Sequence, residues 1–211
     1  MHRLCADDLG HRFGRRALFR HLSMEVEGGE AVAVTGRNGS GKSTLLRILA
    51  GVLAPVEGTV RLVRNGQAIP AEERPLHTGY VAPYLNVYED FSARENLAFL
   101  ARVRRLEQVD PRIDQALEVV GLAGRADDRV GTFSSGMRQR VKYAAALVTE
   151  PVLLLLDEPS TNLDAAGLAM VDRVMQHQRT AGGLLVVATN NAEEAARCDR
   201  QVSVEPASPI S

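Results

Sequence analysis

Residues 30–51 read EAVAVTGRNGSGKSTLLRILAG, and this stretch restricts the possible folds more than any other. Glu30–Gly36 is a short apolar run ending in glycine, the pattern of a buried strand. KSTLLRILAG has helical spacing and stops at Gly51. Between the two, GRNGSGKST (Gly36–Thr44) fits G-x-x-x-x-G-K-[ST] in the strand-then-helix setting that the motif requires. Glycines at this spacing let backbone N–H groups close around phosphates. Gly36, Arg37, Asn38, Gly39, Ser40, Gly41, Lys42, Ser43 and Thr44 therefore form a candidate nucleotide-phosphate cradle. Lys42 would reach the β and γ oxygens, and the Ser43 hydroxyl would hold Mg²⁺.

The rest of the chain alternates between strand and helix patterns. GTVRLV (Gly58–Val63), HTGYVA (His77–Ala82), VLLLLDEP and LLVVAT read as strands. SARENLAFLARVRRL has helical spacing, with Ser92 as cap and Glu95 three residues on, a capping box. DPRIDQALEVVGL is predicted to start on Asp110-Pro111 as N-cap and N1 and to close at Gly121. RQRVKYAAALVTE, AAGLAMVDRVMQHQRT and AEEAARC read as further helices. This alternation predicts an α/β fold with a mostly parallel sheet and helical crossovers. Residues 92–122 carry only helical patterns, which predicts a helical insert between the phosphate loop and the acidic strand.

VLLLLDEP supplies the second half of a phosphate-loop site. Asp157 ends an apolar run and can complete a Mg²⁺ shell. Glu158, the next residue, is a candidate base for an attacking water. In FSSGMRQR, Ser134 or Ser135 can cap a helix start, and helix starts attract anions.

GRNGSGKST, FSSGMRQR, LLLLDEPSTNLD and ATNNAEEA occur in the order and spacing of the nucleotide-binding domains of ABC transporters. The resemblance runs from Leu4 to Val204. It implies a P-loop NTPase core with an N-terminal antiparallel β part and a helical subdomain of roughly residues 84–150, in a single ATP-binding domain over 1–211. It implies ATP and Mg²⁺ as cofactors. SSGM resembles the signature loop of that family, a variant of the usual Leu-Ser-Gly-Gly-Gln. In the family's head-to-tail dimer this loop meets the nucleotide held by the other subunit. Ser134, Ser135, Gly136 and Met137 would thus bind a neighbour's γ-phosphate, with Gln139 continuing the signature helix. Phe13 resembles the aromatic that stacks on adenine, and STNLD, ending in Asp164, resembles the D-loop at the dimer seam.

Two positions depart from the family pattern. The slot of the Q-loop glutamine holds Pro83, which has no side-chain donor or acceptor; Asn86 is the nearest amide. The slot of the switch histidine holds Asn190, which keeps a donor but no ring. Asn190 is carried as a catalytic candidate beside Glu158, and Ser43 and Asp157 as the metal pair.

Composition narrows what remains. A formal net charge of −1 gives no support for broad nucleic-acid binding, and no nucleic-acid partner is expected. The two cysteines, Cys5 and Cys198, form no C-x-x-C pair, and the five histidines show no metal-ligand spacing. The clusters HRFGRRALFRH and ARVRRL read as solvated surface. No apolar run approaches the roughly 20 residues of a membrane span, and the N-terminus has no signal-peptide pattern. The resemblance then implies the ATP-hydrolysing subunit of a membrane ABC transporter. It would sit peripherally at the cytoplasmic face of the inner membrane through a separate multi-span permease, beside a second ATP-binding subunit, either another copy or a paralogue. The compact length and TFSSGMRQR resemble exporter-type subunits, including those of haem export in cytochrome c biogenesis. The alternative is a soluble ABC-type switch acting on ribosomes or DNA; such proteins usually carry two cassettes or long insertions, which this sequence lacks.

Overall fold

The computed structural model describes residues 1–161 and 163–205; Asn162, inside STNLD, lies outside them. The chain opens with two long antiparallel strands, β1 (Arg3–Phe13) and β2 (Arg16–Glu27). In β2, Leu22, Met24 and Val26 are buried while Ser23, Glu25 and Glu27 are exposed, the period of two of a strand with one wet face. A short buried strand, β3 (Ala31–Thr35), leads through the phosphate loop into helix α1 (Lys42–Ala50). Strand β4 (Glu57–Arg64) returns to pair with β1, and β5 (Gln67–Ile69) folds back on β4. Asn65 and Gly66 supply the two positive φ angles that this tight hairpin needs, 51° and 82°. These strands form an antiparallel sheet in the order β2-β1-β4-β5.

The second half builds the other sheet. Strand β6 (Thr78–Val81) precedes helices α2 (Ala93–Val103), α3 (Val109–Val119) and α4 (Ser135–Leu147). Then come β7 (Leu153–Asp157), α5 (Ala165–Thr180), β8 (Leu184–Ala188), the short helix α6 (Ala192–Ala195) and β9 (Arg200–Ser203). The sheet order is β6-β7-β8-β3-β9, and every paired neighbour is parallel. Strands β7 and β8 are buried at every residue, so their runs of Leu and Val need no polar alternation.

The parallel sheet divides the core. Leu153, Leu155, Leu184 and Val186 face α1 and the antiparallel sheet. Leu154, Leu156, Leu185 and Val187 face the helices α2 to α5. Each such side chain contributes about 1.5–3 kcal/mol by leaving water, so both layers are anchored to the strands that carry Asp157 and Thr189 at their ends.

Most of the predicted elements are present, with shifts at their edges. Ser92 and Glu95 form the capping box, with Ser92 N to Glu95 Oε2 at 2.7 Å and Glu95 N to Ser92 Oγ at 3.1 Å. Gly121 follows α3 in the left-handed region, as predicted (φ 70°). Asp110 is not the cap of α3. The chain turns through positive φ at Arg105 and Gln108, so the helix begins at Val109 and Gln108 occupies the cap position without a side-chain bond. Asp110 and Pro111 fall in the first turn instead. There a carboxylate complements the helix dipole and the missing proline N–H leaves no bond broken. Helix α4 starts three residues before the predicted RQRVKY, because Ser134 caps it. The last helix is helical over Ala192–Ala195 only.

Candidate functional site

The phosphate loop is wound by its glycines. Gly36 has φ 144°, and a Cβ there would lie 2.7 Å from the Val204 carbonyl oxygen. Gly41 has φ 108°, and a Cβ would lie 3.0 Å from the Phe19 ring. Gly41 is also the N-cap of α1, which has no side-chain cap and no acidic residue in its first turn. The first-turn N–H groups and the positive end of the helix dipole are therefore left to an external anion. Ser40 Oγ is buried and has no partner among the described residues. The cleft above the loop has a volume of about 350 Å³ and is lined by Phe13, Asn38, Lys42, Ser43 and Glu158 among others. These features fit a polyphosphate ligand: open donors, a buried cation and no acidic residue in the helix's own first turn.

Lys42 is buried. Its Nζ donates to Gly36 O at 2.9 Å and to Arg37 O at 3.5 Å, and lies 3.5 Å from Glu158 Oε1. The ammonium is thus held over the loop and paired with the acid at the end of β7. Ser43 Oγ donates to Asp157 Oδ1 at 3.1 Å. This hydroxyl and carboxylate meet because α1 packs directly on β7, bringing together residues 114 positions apart. Among the described residues no group of three or more His, Cys, Asp or Glu is placed to hold a metal ion. A cation at the Ser43–Asp157 pair would take much of its shell from water or ligand oxygens, the habit of a small hard ion.

Glu158 adopts a left-handed backbone (φ 50°) although it is not glycine, and its N–H donates to Ala188 O at 2.8 Å. The turn redirects the chain at the carboxyl end of the parallel sheet, where α/β proteins place their ligand sites. Asn190, just past β8, donates from Nδ2 to Asn38 Oδ1 at 2.9 Å, which ties it to the phosphate loop. Phe13 is 55% exposed at the cleft, backed edge-on by the buried His11 ring at 4.9 Å. Burial lowers the His11 pKa, so that ring stays neutral.

The remaining candidates lie elsewhere. Ser134, Ser135, Gly136, Met137 and Gln139 are at the start of α4, where Ser134 Oγ accepts from Met137 N at 3.2 Å. None of them lines the cleft. Ser134, Ser135 and Gly136 are exposed, so this helix start is free to meet another molecule. Asp164 caps α5, accepting from Gly167 N at 2.7 Å. Tyr143 links α4 to the segment after Glu158: its buried hydroxyl donates to Pro159 O at 3.0 Å, and burial raises its pKa.

Three polar residues of the site had not been singled out in the sequence. Tyr80 OH donates to Asp157 Oδ2 at 3.2 Å, Tyr84 OH to Tyr80 OH at 3.0 Å, and Arg47 Nε to Tyr84 OH at 3.1 Å. Burial first, then Tyr84 and Asp157, push the Tyr80 pKa upward, so it remains a protonated donor. The visible signal was a tyrosine in the otherwise apolar run GYVA. Pro83 is exposed, and its carbonyl accepts from Lys142 Nζ at 3.2 Å. Asn86 is also exposed and lines an apolar groove with Leu85, Val87 and Leu100 rather than the phosphate cleft.

Comparison with known proteins gives a consistent picture. The family model described as "ABC transporter" matches residues 19–161. The cytochrome c biogenesis ATP-binding export protein CcmA of Brucella abortus is 38% identical over 191 residues, covering 89% of this chain and 85% of its own. The lipoprotein-releasing system ATP-binding protein LolD of Oleidesulfovibrio alaskensis is 36% identical over 195 residues, covering 89% and 84%. Among solved structures, an ATP-binding subunit of an ABC transporter superposes with a TM-score of 0.82 at 27% identity, covering 95% of this chain and 85% of that one.

Proposed function

The chain belongs to the ABC transporter family, and we propose that it is the ATP-hydrolysing subunit of an exporter, working as one unit over residues 1–211 with Mg²⁺ at Ser43 and Asp157. The carrying observation is the meeting of Ser43 Oγ and Asp157 Oδ1 at 3.1 Å beside the buried Lys42. ATP binding and its hydrolysis coupled to transport are the activity of the family's ATP-binding subunits. When bound, Mg²⁺ would neutralise phosphate charge as it develops.

The chain's own groups divide the remaining work. Lys42 donates to the β and γ oxygens in place of its present carbonyl partners. Glu158 accepts a proton from the attacking water, and Asn190 donates a neutral amide hydrogen bond. Phe13 offers its exposed ring to the base. Ser134, Ser135, Gly136 and Met137 act on the nucleotide of a second ATP-binding chain, with Gln139 behind them on α4 and Asp164 at the seam. The exposed start of α4, which does not line its own cleft, supports that division.

Among the described residues no helix is long and apolar enough to cross a membrane. From the family's membership in membrane transporters we read a peripheral subunit on the cytoplasmic face, coupled to a separate multi-span permease, with the helical segment around Ser92–Leu106 forming part of the groove that receives it. The likeness to CcmA favours an exporter of the cytochrome c biogenesis type, with haem as the candidate cargo. Glu158→Gln is the test. It should bind ATP, stop hydrolysis and elute as a dimer with ATP and Mg²⁺ on size-exclusion chromatography. A monomer at high protein and saturating ATP would exclude an isolated homodimer. Capture of the chain from membranes, with identification of the co-purifying membrane protein, tests the cargo reading.

A further inference from the structure

We infer that Tyr80 and Tyr84 are positioning residues for Asp157, and that together they replace the side chain missing at Pro83. The inference rests on the reading of Ser43 and Asp157 as a Mg²⁺–ATP site. Its basis is a chain of donors that runs in one direction. Arg47 Nε donates to Tyr84 OH at 3.1 Å, Tyr84 OH to Tyr80 OH at 3.0 Å, and Tyr80 OH to Asp157 Oδ2 at 3.2 Å. The other carboxylate oxygen accepts from Ser43 Oγ at 3.1 Å. Each Asp157 oxygen is thus engaged by a different donor, and rotation of the carboxylate breaks a bond.

The chain closes on itself. Ser43 and Arg47 are four residues apart on α1, hence on one face of that helix. One end of that turn holds Asp157 directly, and the other holds it through two phenols. The Arg47 guanidinium also lies over the Tyr84 ring, 4.9 Å from its centroid, and the Tyr84 bond raises the Arg47 pKa. The cation therefore stays charged at the far end of a chain that finishes on a carboxylate, an arrangement in which successive hydrogen bonds strengthen one another.

Pro83 explains why tyrosines are needed. The slot held by Pro83 has no polar side chain, but the next residue, Tyr84, donates to Tyr80, which donates to Asp157. Pro83 itself is held by its carbonyl, through Lys142 of α4. The loop is thereby tied to α1 on one side and α4 on the other. The family pattern has a glutamine in this slot; here the loop acts on Asp157 through two hydroxyls.

The test compares ATP affinity in EDTA with that in excess Mg²⁺, by calorimetry on the full chain. Wild type, Tyr80→Phe, Tyr84→Phe and the double variant Pro83→Gln with Tyr84→Phe are measured, with melting temperature as a folding control. Phenylalanine keeps each ring, and Tyr84 is half-exposed, so folding should survive. Affinity in EDTA should be unchanged. The gain on adding Mg²⁺ should fall at least about tenfold in Tyr80→Phe, the low end of the loss for one hydrogen bond to a charged group. It should fall less in Tyr84→Phe and recover in the double variant. An equal Mg²⁺ gain in wild type and Tyr80→Phe would overturn the inference, as would a parallel loss in EDTA. Failure of the double variant to recover would overturn the replacement of the Pro83 side chain. A wild type that binds ATP with no Mg²⁺ gain would instead overturn the metal reading on which the inference stands.

Discussion

Lys42 is the side chain on which the cleft depends most. It is a buried cation whose nearest partners are two loop carbonyls and Glu158. Charge-assisted hydrogen bonds contribute about 1.5–3 kcal/mol each, and about 1.36 kcal/mol is a factor of ten. Lys42→Ala should therefore weaken ATP binding at least about tenfold in an equilibrium titration; unchanged affinity and turnover would remove the phosphate-loop assignment. Asn190 is a smaller case. Its amide reaches Asn38 of the loop, and as a neutral donor it contributes about 0.5–1.5 kcal/mol, roughly 1 kcal/mol less than a charged ring. Basal turnover should be slow, Asn190→His should raise it by less than about tenfold, and Asn190→Ala should lower it. Steady-state ATPase assays with the membrane partner decide this: an Asn190→Ala rate equal to wild type would remove Asn190 from the chemistry.

Among the elements, α2 shows how a local signal becomes a tertiary anchor. Ser92 and Glu95 satisfy each other's backbone N–H groups. One turn further, the buried Asn96 side chain accepts from Tyr88 N and donates to the carbonyls of Tyr88 and Ser92, all within 2.9 Å. The helix start is thereby joined to the loop that follows β6. Ser92→Ala should cost about 0.5–2 kcal/mol, as for other N-caps. Asn96→Leu should cost more, because it leaves Tyr88 N–H without its partner at about 1–3 kcal/mol and removes one of the two donors to each of Tyr88 O and Ser92 O, which keep only Phe91 N and Asn96 N respectively. Urea unfolding of the two variants gives the order; a smaller loss for Asn96→Leu would show that the loop re-pairs with water.

For the whole molecule, acid is the revealing variable. Burial lowers the pKa of His2, His11 and His77 in the folded chain. The unfolded chain then binds more protons below the ordinary histidine value of about 6.5, so stability present above that pH is lost as pH falls through it. Glu25 and Glu30 are held below the usual carboxylate range by Arg3 and Arg200 respectively. Their contribution is present above the ordinary glutamate value and is lost at lower pH. Melting temperature should therefore begin to fall below about pH 6.5, before the carboxylates titrate. A plateau down to about pH 5 would contradict the histidine account.

The phosphate loop, the acids at the end of β7, the capping box of α2 and the buried parallel strands were all legible in the sequence, because each is specified by neighbours along the chain. A glycine spacing winds a loop, an apolar run buries a strand, and a hydroxyl three residues before an acid caps a helix. The alternation in LSMEVE and the Asn-Gly hairpin carried equally local signals, though β1, β2, β5 and β9 had not been picked out strand by strand. The start of α3 was misplaced because two positive φ angles at non-glycine residues, Arg105 and Gln108, leave no compositional mark. The hold on Asp157 could not be read at all. It joins Ser43, Arg47, Tyr80 and Tyr84 across β6, β7 and α1, and only the packing of α1 against the sheet brings those groups within hydrogen-bond distance. Sequence determined which groups the site contains; tertiary structure decided which of them face one another, since a hydrogen bond depends on distances between elements that sequence separation does not encode.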